Sequence, residues 1–164
     1  MNLYQKYCTQ TFDKKGRLCD FSIQYPPNFN FGYDVVDEMA RLAPQQTALV
    51  WCNAAQEEKI FTFAQISSQS NRLANVLAGY GIGKGDCVMV MLKRHYEYWF
   101  AAVALHKLGA IMLPVTHMLT QKDVQYRVDG AGVRAAICSP EGDAPQKMRA
   151  AQMACSTLEH LFTV

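Results

Sequence analysis

Three segments of the chain place polar side chains directly after an apolar run and before a helical pattern. They are Lys93-Arg94-His95, Thr116-His117-Met118-Leu119 and the residues from Ser139 to Ala144. Because α/β sheets bind ligands outside the carboxyl ends of their strands, these segments are the first places to look for chemistry. A charged pair that ends a strand is usually solvated, which favours a surface role over a phosphate site for Lys93 and Arg94.

His117 has hydroxyl side chains on either side, at Thr116 and Thr120. A general base needs a nucleophile or an orienting carboxylate within reach. The chain has no G-x-S-x-G elbow, no H-E-x-x-H pair and no Cys/His arrangement that the sequence places together. Thr120 and Asp123 instead have the spacing of an acidic capping box for the following helix. The sequence therefore predicts no catalytic residue and no metal ligand.

The segment Gly81-Ile82-Gly83-Lys84-Gly85-Asp86 has the glycines of a phosphate-binding loop. Phosphate loops leave a strand and enter a helix, so that free N–H groups at the helix N-terminus face the anion. Here a helical pattern comes first and a strand follows, and Asp86 would repel a phosphate. The segment is therefore predicted to be the turn that ends a helix.

The composition excludes several classes of protein. A length of 164 residues indicates one domain, and a formal net charge of +2 with scattered Lys and Arg argues against a nucleic-acid partner. Residues 1–10 contain no signal-peptide core, and no apolar run approaches the roughly 18 residues that span a bilayer. We therefore expect a cytoplasmic protein without a membrane span. The six cysteines fit no common zinc or disulfide spacing and are expected to be free thiols.

The first third of the chain predicts an arm, a helix and a hairpin. Residues 1–30 form the arm, which Pro26-Pro27 keeps extended, with a short helix near Leu3–Thr11. A helix capped by Asp34 follows and ends at Ala43. Two β-rich runs flank a polar turn and predict a β-hairpin: Thr47–Cys52 and Lys59–Thr62.

The rest of the chain alternates helices and strands. Thr62 and Gln65 have capping-box spacing, and Phe61 and Ile66 have the positions of a hydrophobic staple, so a helix is predicted to start there. Four strands and three further helices follow, in the order Cys87–Leu92, Tyr96–Leu108, Ile111–Val115, Thr120–Val128, Arg134–Cys138, Pro145–Ala154 and His160–Val164. Such apolar strands between helices predict an α/β fold, a mainly parallel sheet with helices on both faces. The aromatic stripe of the Tyr96–Leu108 helix is predicted to be core packing.

The run Leu161-Phe162-Thr163-Val164 has the composition of a strand, and the sequence stops within it. Domains seldom stop inside a core strand, so we expect a truncated chain. An open strand at a sheet edge exposes unpaired backbone groups, and we expect it to promote self-association.

Three motifs in this order resemble the N-terminal part of the adenylate-forming enzymes, the family that includes acyl-CoA synthetases. Residues 61–66 look like the family's first core motif, residues 81–88 look like its G-h-x-x-G-D-x-V turn, and residues 104–114 look like its second motif. Residues 28–37 and 119–127 are similar to the acetyl and medium-chain acyl-CoA synthetase branch. The resemblance covers about residue 26 to the end of the chain.

The resemblance implies a two-step ligase reaction for the full-length enzyme. A carboxylic acid attacks ATP with Mg²⁺ to give acyl-AMP and pyrophosphate, and coenzyme A then displaces AMP. Residues 31–164 are implied to be a partial N-terminal domain. The family's Ser/Thr/Gly-rich ATP loop, and its C-terminal domain with the catalytic lysine, have no counterpart in the sequence. The chain alone is therefore expected to hold no cofactor and to be inactive.

In the family, the loop that matches Thr116-His117-Met118 lies near the thioester tunnel and coenzyme A. The resemblance thus implies that Thr116, His117 and Met118 form a coenzyme A contact. Two alternatives stay open. The chain could be a stand-alone nucleotide-binding or regulatory module, or a structural α/β domain that associates through its sheet edge.

Overall fold

The computed structural model describes residues 3–164, and a hairpin lies within the segment predicted to be an extended arm. A short 3₁₀ helix at Leu3–Lys6 precedes the antiparallel strands β1 (Cys8–Phe12) and β2 (Leu18–Ile23). The predicted helix near Leu3–Thr11 is therefore wrong after Lys6. Asp13 explains the hairpin, because its Oδ1 accepts hydrogen bonds from the backbone N–H groups of Lys15 and Arg17, at 2.8 and 2.9 Å, and closes the turn. Residues 1 and 2 of the predicted arm lie outside the described residues.

The first helix starts three residues before the predicted cap. A π-helical segment, Phe31–Asp37, continues directly into α1 (Glu38–Leu42). Asn30 is the cap, since its side-chain oxygen accepts hydrogen bonds from the N–H groups of Gly32 and Tyr33 at 2.9 and 3.3 Å. Asp34 reaches back to the Asn30 N–H at 2.7 Å. Asp34 was predicted to be the N-cap, and this is wrong: Asn30 is the N-cap, and the Asp34 carboxylate accepts a hydrogen bond from its backbone N–H.

The second hairpin and the helix after it confirm the sequence analysis. Strands β3 (Thr47–Cys52) and β4 (Glu58–Thr62) pair antiparallel, and α2 (Phe63–Gly79) follows at once. Thr62 and Gln65 form the predicted capping box, with side-chain to backbone distances of 2.8 and 3.3 Å. Phe61 packs beside buried Ile66, as a hydrophobic staple requires.

The remaining elements build the predicted parallel sheet. Its strands have the order β6-β5-β7-β8, and every neighbouring pair is parallel. The elements are β5 (Cys87–Met91), α3 (Glu97–Leu108), β6 (Ile111–Pro114), α4 (Gln121–Ala131), β7 (Val133–Cys138), α5 (Ala144–Ala154) and β8 (His160–Thr163). Strand β8 pairs with β7 on one side and forms an edge of the sheet in the described part of the chain. Self-association through that edge stays a prediction.

Side chains of β5 alternate between two helical layers. Met89 and Met91 pack with α4 and α5, where Val124 and Met148 are fully buried. Val88, on the opposite face, packs with α2 and α3. All five residues of β5 are buried, which explains why the strand is continuously apolar.

Lys107 is a buried cation that joins three helical segments. Its side chain is 1% exposed, and its Nζ lies 2.6 Å from Asp37 Oδ1 and 2.7 Å from Asn71 Oδ1. Asp37 also accepts a hydrogen bond from the Ser67 hydroxyl at 2.7 Å. The ammonium group therefore connects the π-helical segment, α2 and α3 in one polar network. A buried ammonium group is stable in such a network only if each of its hydrogen-bond partners is present.

The cysteines occupy both core and surface. Cys87, Cys138 and Cys155 are buried, and burial raises the pKa of the Cys87 and Cys138 thiols. In residues 3–164, all six cysteines are free thiols. Within that same stretch, no helix combines the length and apolarity needed to cross a membrane.

Replacing Lys107 by alanine tests the network. The K107A variant leaves Asp37 and Asn71 without their cation, and we expect it to lose about 2–3 kcal/mol of unfolding free energy, below the ~3–5 kcal/mol of fully buried pairs because solvent reaches Asp37. Urea denaturation followed by circular dichroism measures the loss. The matched control is K122A, on the solvent-exposed side of α4, which should change stability by less than about 0.5 kcal/mol. Equal midpoints for the two variants would contradict the role given to Lys107.

Candidate functional site

The three loops singled out in the sequence meet at one edge of the sheet. Strand β5 lies between β6 and β7, and all three strands run in the same direction. Residues 92–96, 115–120 and 139–143 follow these strands, so they share the carboxyl edge. This is the edge at which α/β proteins bind ligands.

Two adjoining clefts open at this edge. A small cleft of about 150 Å³ is lined by Lys93, His117, Ser139, Glu141, Gly142, Asp143 and Ala144. A larger cleft of about 610 Å³ is lined by Trp51, Asn53, Ala54, Lys93, Arg94, His95, Tyr96, Glu97 and Glu141. Lys93 and Glu141 line both clefts, so the two form one continuous polar surface.

The loop predicted to contact coenzyme A is fixed at both ends. Val115 N donates to Val90 O at 3.0 Å, which extends the β6–β5 pairing into the loop. Thr116 Oγ1 accepts a hydrogen bond from Met118 N at 3.3 Å and tightens the turn. His117 faces the small cleft, whereas the Met118 side chain is 75% exposed. Of the three predicted residues, therefore, His117 lines the cleft, Thr116 shapes the loop and Met118 faces solvent.

A capping box follows this loop and orients α4. Asp123 Oδ2 accepts hydrogen bonds from Thr120 Oγ1 at 2.7 Å and from Thr120 N at 3.0 Å, and Asp123 N donates to Thr120 Oγ1 at 3.2 Å. This confirms the predicted pairing. The hydrogen bonds from Thr120, first from its hydroxyl and then from its backbone, lower the pKa of Asp123 because they stabilise the carboxylate.

His95 is the site residue whose position the sequence analysis missed. Its Nε2 lies 3.1 Å from Ser139 Oγ, which joins the loop after β5 to the loop after β7. Its Nδ1 lies 4.0 Å from Glu97 Oε2. The contact depends on the parallel register, in which Met91 is paired with Cys138, and no local pattern encodes that register. A serine directly after β7 and a histidine after β5 were the available signals.

An aromatic cluster supports the larger cleft. Trp51 Nε1 donates to Arg94 O at 2.5 Å, and Lys59 Nζ donates to Tyr96 Oη at 3.0 Å. The Lys59 ammonium also lies 4.4 Å from the centre of the Tyr96 ring. The β3–β4 hairpin is thereby attached to the start of α3. Phe100 is buried in the same cluster, as the core interpretation predicted, but Trp99 is 51% exposed and departs from it.

The glycine-rich segment is a turn, as predicted, and belongs to the opposite edge. Asp86 Oδ2 accepts a hydrogen bond from Gly83 N at 2.8 Å, and Gly81 has a φ of 78°. Arg134 Nη1 donates to Gly81 O at 2.7 Å and to Asp86 Oδ2 at 3.1 Å. Its Nε donates to Glu159 at 3.1 Å, and this hydrogen bond is the main reason that the pKa of Arg134 is raised. Asp86 is therefore occupied within the fold and does not face a phosphate.

No metal centre is formed by the described residues. Across residues 3–164, no group of three or more His, Cys, Asp or Glu side chains is arranged to hold a metal ion. The clefts are lined by groups of both charges: the cations Lys93 and Arg94, the carboxylates Glu97, Glu141 and Asp143, and also His95, His117 and Ser139. Such groups bind polar ligands or transfer protons.

Comparison with known proteins identifies a family over most of the chain. The model of the "AMP-binding enzyme" family matches residues 36–162. Acyl-coenzyme A synthetase ACSM5, mitochondrial, from Rattus norvegicus is 38% identical over 120 residues, which are 70% of this chain and 21% of that protein. Acyl-coenzyme A synthetase ACSM3, mitochondrial, from Homo sapiens is 36% identical over 124 residues, or 72% and 21%. The chain thus spans about a fifth of the length of these curated relatives.

Solved structures show the same fold. The Mycobacterium tuberculosis fatty acyl CoA synthetase superposes with a TM-score of 0.72 at 25% identity, over 82% of this chain and 26% of that one. The anthranilate CoA ligase AuaEII in complex with anthranoyl-AMP superposes with a TM-score of 0.74 at 21% identity, over 85% and 26%. The second likeness is evidence of fold alone.

The lowered pKa of Asp123 makes the loop and α4 sensitive to acid. A carboxyl group whose pKa is lower in the folded state stabilises the fold above its ordinary pKa of about 3.8–3.9, and this stabilisation is lost as the pH falls through the folded-state value. We expect D123N to be less stable than the parent chain at neutral pH, and the difference to vanish in acid. Thermal unfolding between about pH 7 and pH 3 measures this. The control D129N, in the last turn of α4, keeps Asp123, so its stability should depend on pH as that of the parent chain does. If the stability of D123N depends on pH in the same way as that of the parent chain, the assignment is refuted.

Proposed function

Because this chain belongs to the AMP-binding enzyme family, we propose that it forms the N-terminal scaffold of an ATP-dependent, AMP-forming acyl-CoA synthetase. The observation that carries the proposal is the match over residues 36–162. Its relatives named above are acyl-coenzyme A synthetases at 36–38% identity. In the proposed reaction, a carboxylic acid and ATP give acyl-AMP and pyrophosphate, and coenzyme A then takes the acyl group.

The family motifs have structural roles in this chain. Residues 61–66 start α2, and residues 81–88 turn the chain into β5. Residues 104–114 end α3 and form β6, with Gly109 as a left-handed C-cap at a φ of 67° and Lys107 as the buried cation. These residues support the sheet and position its carboxyl edge. The motifs present in this chain therefore account for scaffolding and not for chemistry.

ATP and Mg²⁺ do not fit the described residues. The sequence has no Ser/Thr/Gly-rich loop with a lysine to surround a triphosphate. Residues 3–164 also form no metal-ligating cluster. We therefore assign no step of adenylation to this chain and propose that it does not adenylate an acid by itself.

We propose coenzyme A as the ligand of the carboxyl edge. In our proposal the loop Thr116-His117-Met118 contacts coenzyme A, with His117 toward the small cleft. Lys93 lines the same cleft and would attract the phosphates of the cofactor, whereas Glu141 and Asp143, which line it too, would repel them. The closed turn at Thr116 keeps the loop in place without the ligand, which lowers the entropy cost of binding.

The domain organisation and location are proposed on the same basis. Residues 31–164 would form part of the N-terminal α/β domain, with residues 1–30 as a separate arm that begins outside the family match. A cytoplasmic location stays our proposal. The relatives named above are described as mitochondrial, so expression of the tagged protein and its fractionation would decide the compartment.

Exchange of radiolabelled pyrophosphate into ATP tests the inactivity of the chain. We expect no acid-dependent exchange with acetate, butyrate or octanoate, since the sequence has no Ser/Thr/Gly-rich loop with a lysine to surround a triphosphate. The rat relative, assayed in parallel, is the positive control. Exchange by this chain above the acid-free background would overturn the proposal.

Methyl NMR tests the coenzyme A contact. Met118 and Met153 are similarly exposed, at 75% and 85%, but Met153 lies at the end of α5, near the opposite edge of the sheet. Titration with coenzyme A should shift the Met118 methyl signal and leave that of Met153 in place. The H117A variant should weaken the Met118 shift. Equal shifts at both methionines, or no shift at Met118, would argue against a contact at this loop.

A further inference from the structure

Ser139, His95 and Glu97 form a chain of polar groups at the carboxyl edge. Ser139 Oγ lies 3.1 Å from His95 Nε2, and His95 Nδ1 lies 4.0 Å from Glu97 Oε2. Serine, imidazole and carboxylate in this order are the groups of a hydrolytic triad, which is recognised by geometry and not by sequence position. The second distance, 4.0 Å, is longer than a hydrogen bond, so the histidine and the carboxylate would have to approach each other when substrate binds.

The proposed mechanism requires one arrangement of the protons. Ser139 Oγ accepts a hydrogen bond from Glu141 N at 3.1 Å and still has its own proton to donate to His95 Nε2. When Nε2 is the acceptor, the neutral imidazole carries its proton on Nδ1, the atom that faces Glu97. This is the tautomer in which histidine acts as a general base toward serine.

Glu97 has an oxygen that the fold leaves without a partner. Its Oε2 is buried and makes no hydrogen bond to any of the residues described, and it is the oxygen that faces His95 Nδ1. A buried carboxylate oxygen without a donor is costly, and such groups are rare in folded proteins. An imidazolium formed during catalysis would place a positive charge beside this oxygen.

The cleft gives a small substrate access to the serine. Ser139 is only 6% exposed but lines the cleft of about 150 Å³, beside Lys93 and His117. Lys93 lines this cleft and would supply positive charge for the negative charge that develops on a carbonyl oxygen. Glu141 and Asp143 also line the cleft. Its small, polar volume suits a short acyl group on an uncharged leaving group.

We propose that Ser139, His95 and Glu97 form a hydrolytic centre that cleaves short-chain acyl esters and thioesters. Ser139 is the nucleophile, His95 is the general base, and Glu97 is a positioning residue. The sequence predicted no catalytic residue, because these three side chains meet only through the β5–β7 pairing. The activity needs no ATP, so its test is independent of the proposed synthetase function.

The steps balance without any redox partner. Ser139 Oγ attacks the acyl carbon as its proton moves to His95 Nε2, the bond to the leaving group breaks, and that proton passes to the departing alcohol or thiol. Water then attacks the acyl-serine and gives a proton to His95. The serine ester bond breaks, the proton returns to Ser139, and the carboxylic acid leaves.

Acylation by p-nitrophenyl acetate tests the proposal on the unmodified chain. We expect a burst of p-nitrophenol and, by peptide mass spectrometry after acid quenching, an acetyl group on Ser139. A fluorophosphonate probe should label the same peptide. The parent chain supplies both readouts, so neither depends on whether a variant folds. Acetylation confined to lysines, or an unlabelled Ser139, would overturn the proposal.

Variants separate catalysis from a purely structural bridge between the loops. S139A and H95Q should abolish the burst, and E97Q should slow acylation by at least about tenfold, by analogy with the loss when a triad carboxylate is neutralised. S156A, an exposed serine after α5, is the matched control and should retain the burst. Circular dichroism checks that each variant is folded. A folded H95Q that is acylated at Ser139 at the parent rate would also refute the proposal.

Discussion

A buried ammonium group is the constraint on which much of this fold depends. Lys107 is 1% exposed, so its charge must find partners inside the protein, and Asp37 and Asn71 provide them. The site also restricts the backbone. A Cβ at Gly32 would lie 2.5 Å from Lys107 Cγ, so a residue larger than glycine would displace the lysine stem. The π-helical segment, α2 and α3 are thus held in one arrangement by a single cation.

Helix α3 links this buried cation to the carboxyl edge of the sheet. Helix α3 connects β5 to β6, and Lys107 lies in its last turn. Its first turn carries Glu97, and the loop before it carries His95. Fixing α3 against α2 therefore also fixes these two side chains relative to Ser139 after β7. The buried lysine therefore lies at one end of α3, and the candidate catalytic residues lie at or just before the other end.

Local signals in the sequence predicted local structure well. The capping boxes at Thr62 and Thr120 are encoded within four residues, and both are present as predicted. The alternation of short apolar strands with helices was enough for the fold class, because this pattern is typical of a parallel sheet buried on both faces. The first hairpin was missed although Asp13 and Gly16 mark its turn, since its strands are short and mostly exposed. The contact between His95 and Ser139 forms because β7 lies beside β5 in the sheet. The sequence does not give this strand order, because a crossover connection can place a strand on either side of its predecessor.

Arg134 ties together the amino edge of the sheet. It joins the carbonyl of Gly81 to the carboxylates of Asp86 and Glu159, so the entry to β5 and the entry to β8 share one guanidinium. These two entries are more than 70 residues apart in the sequence. A neutral residue at position 134 would leave two carboxylates at this edge without their cation, and the turn before β5 would lose its link to β8. One side chain in β7 therefore aligns the starts of the strands on both sides of it.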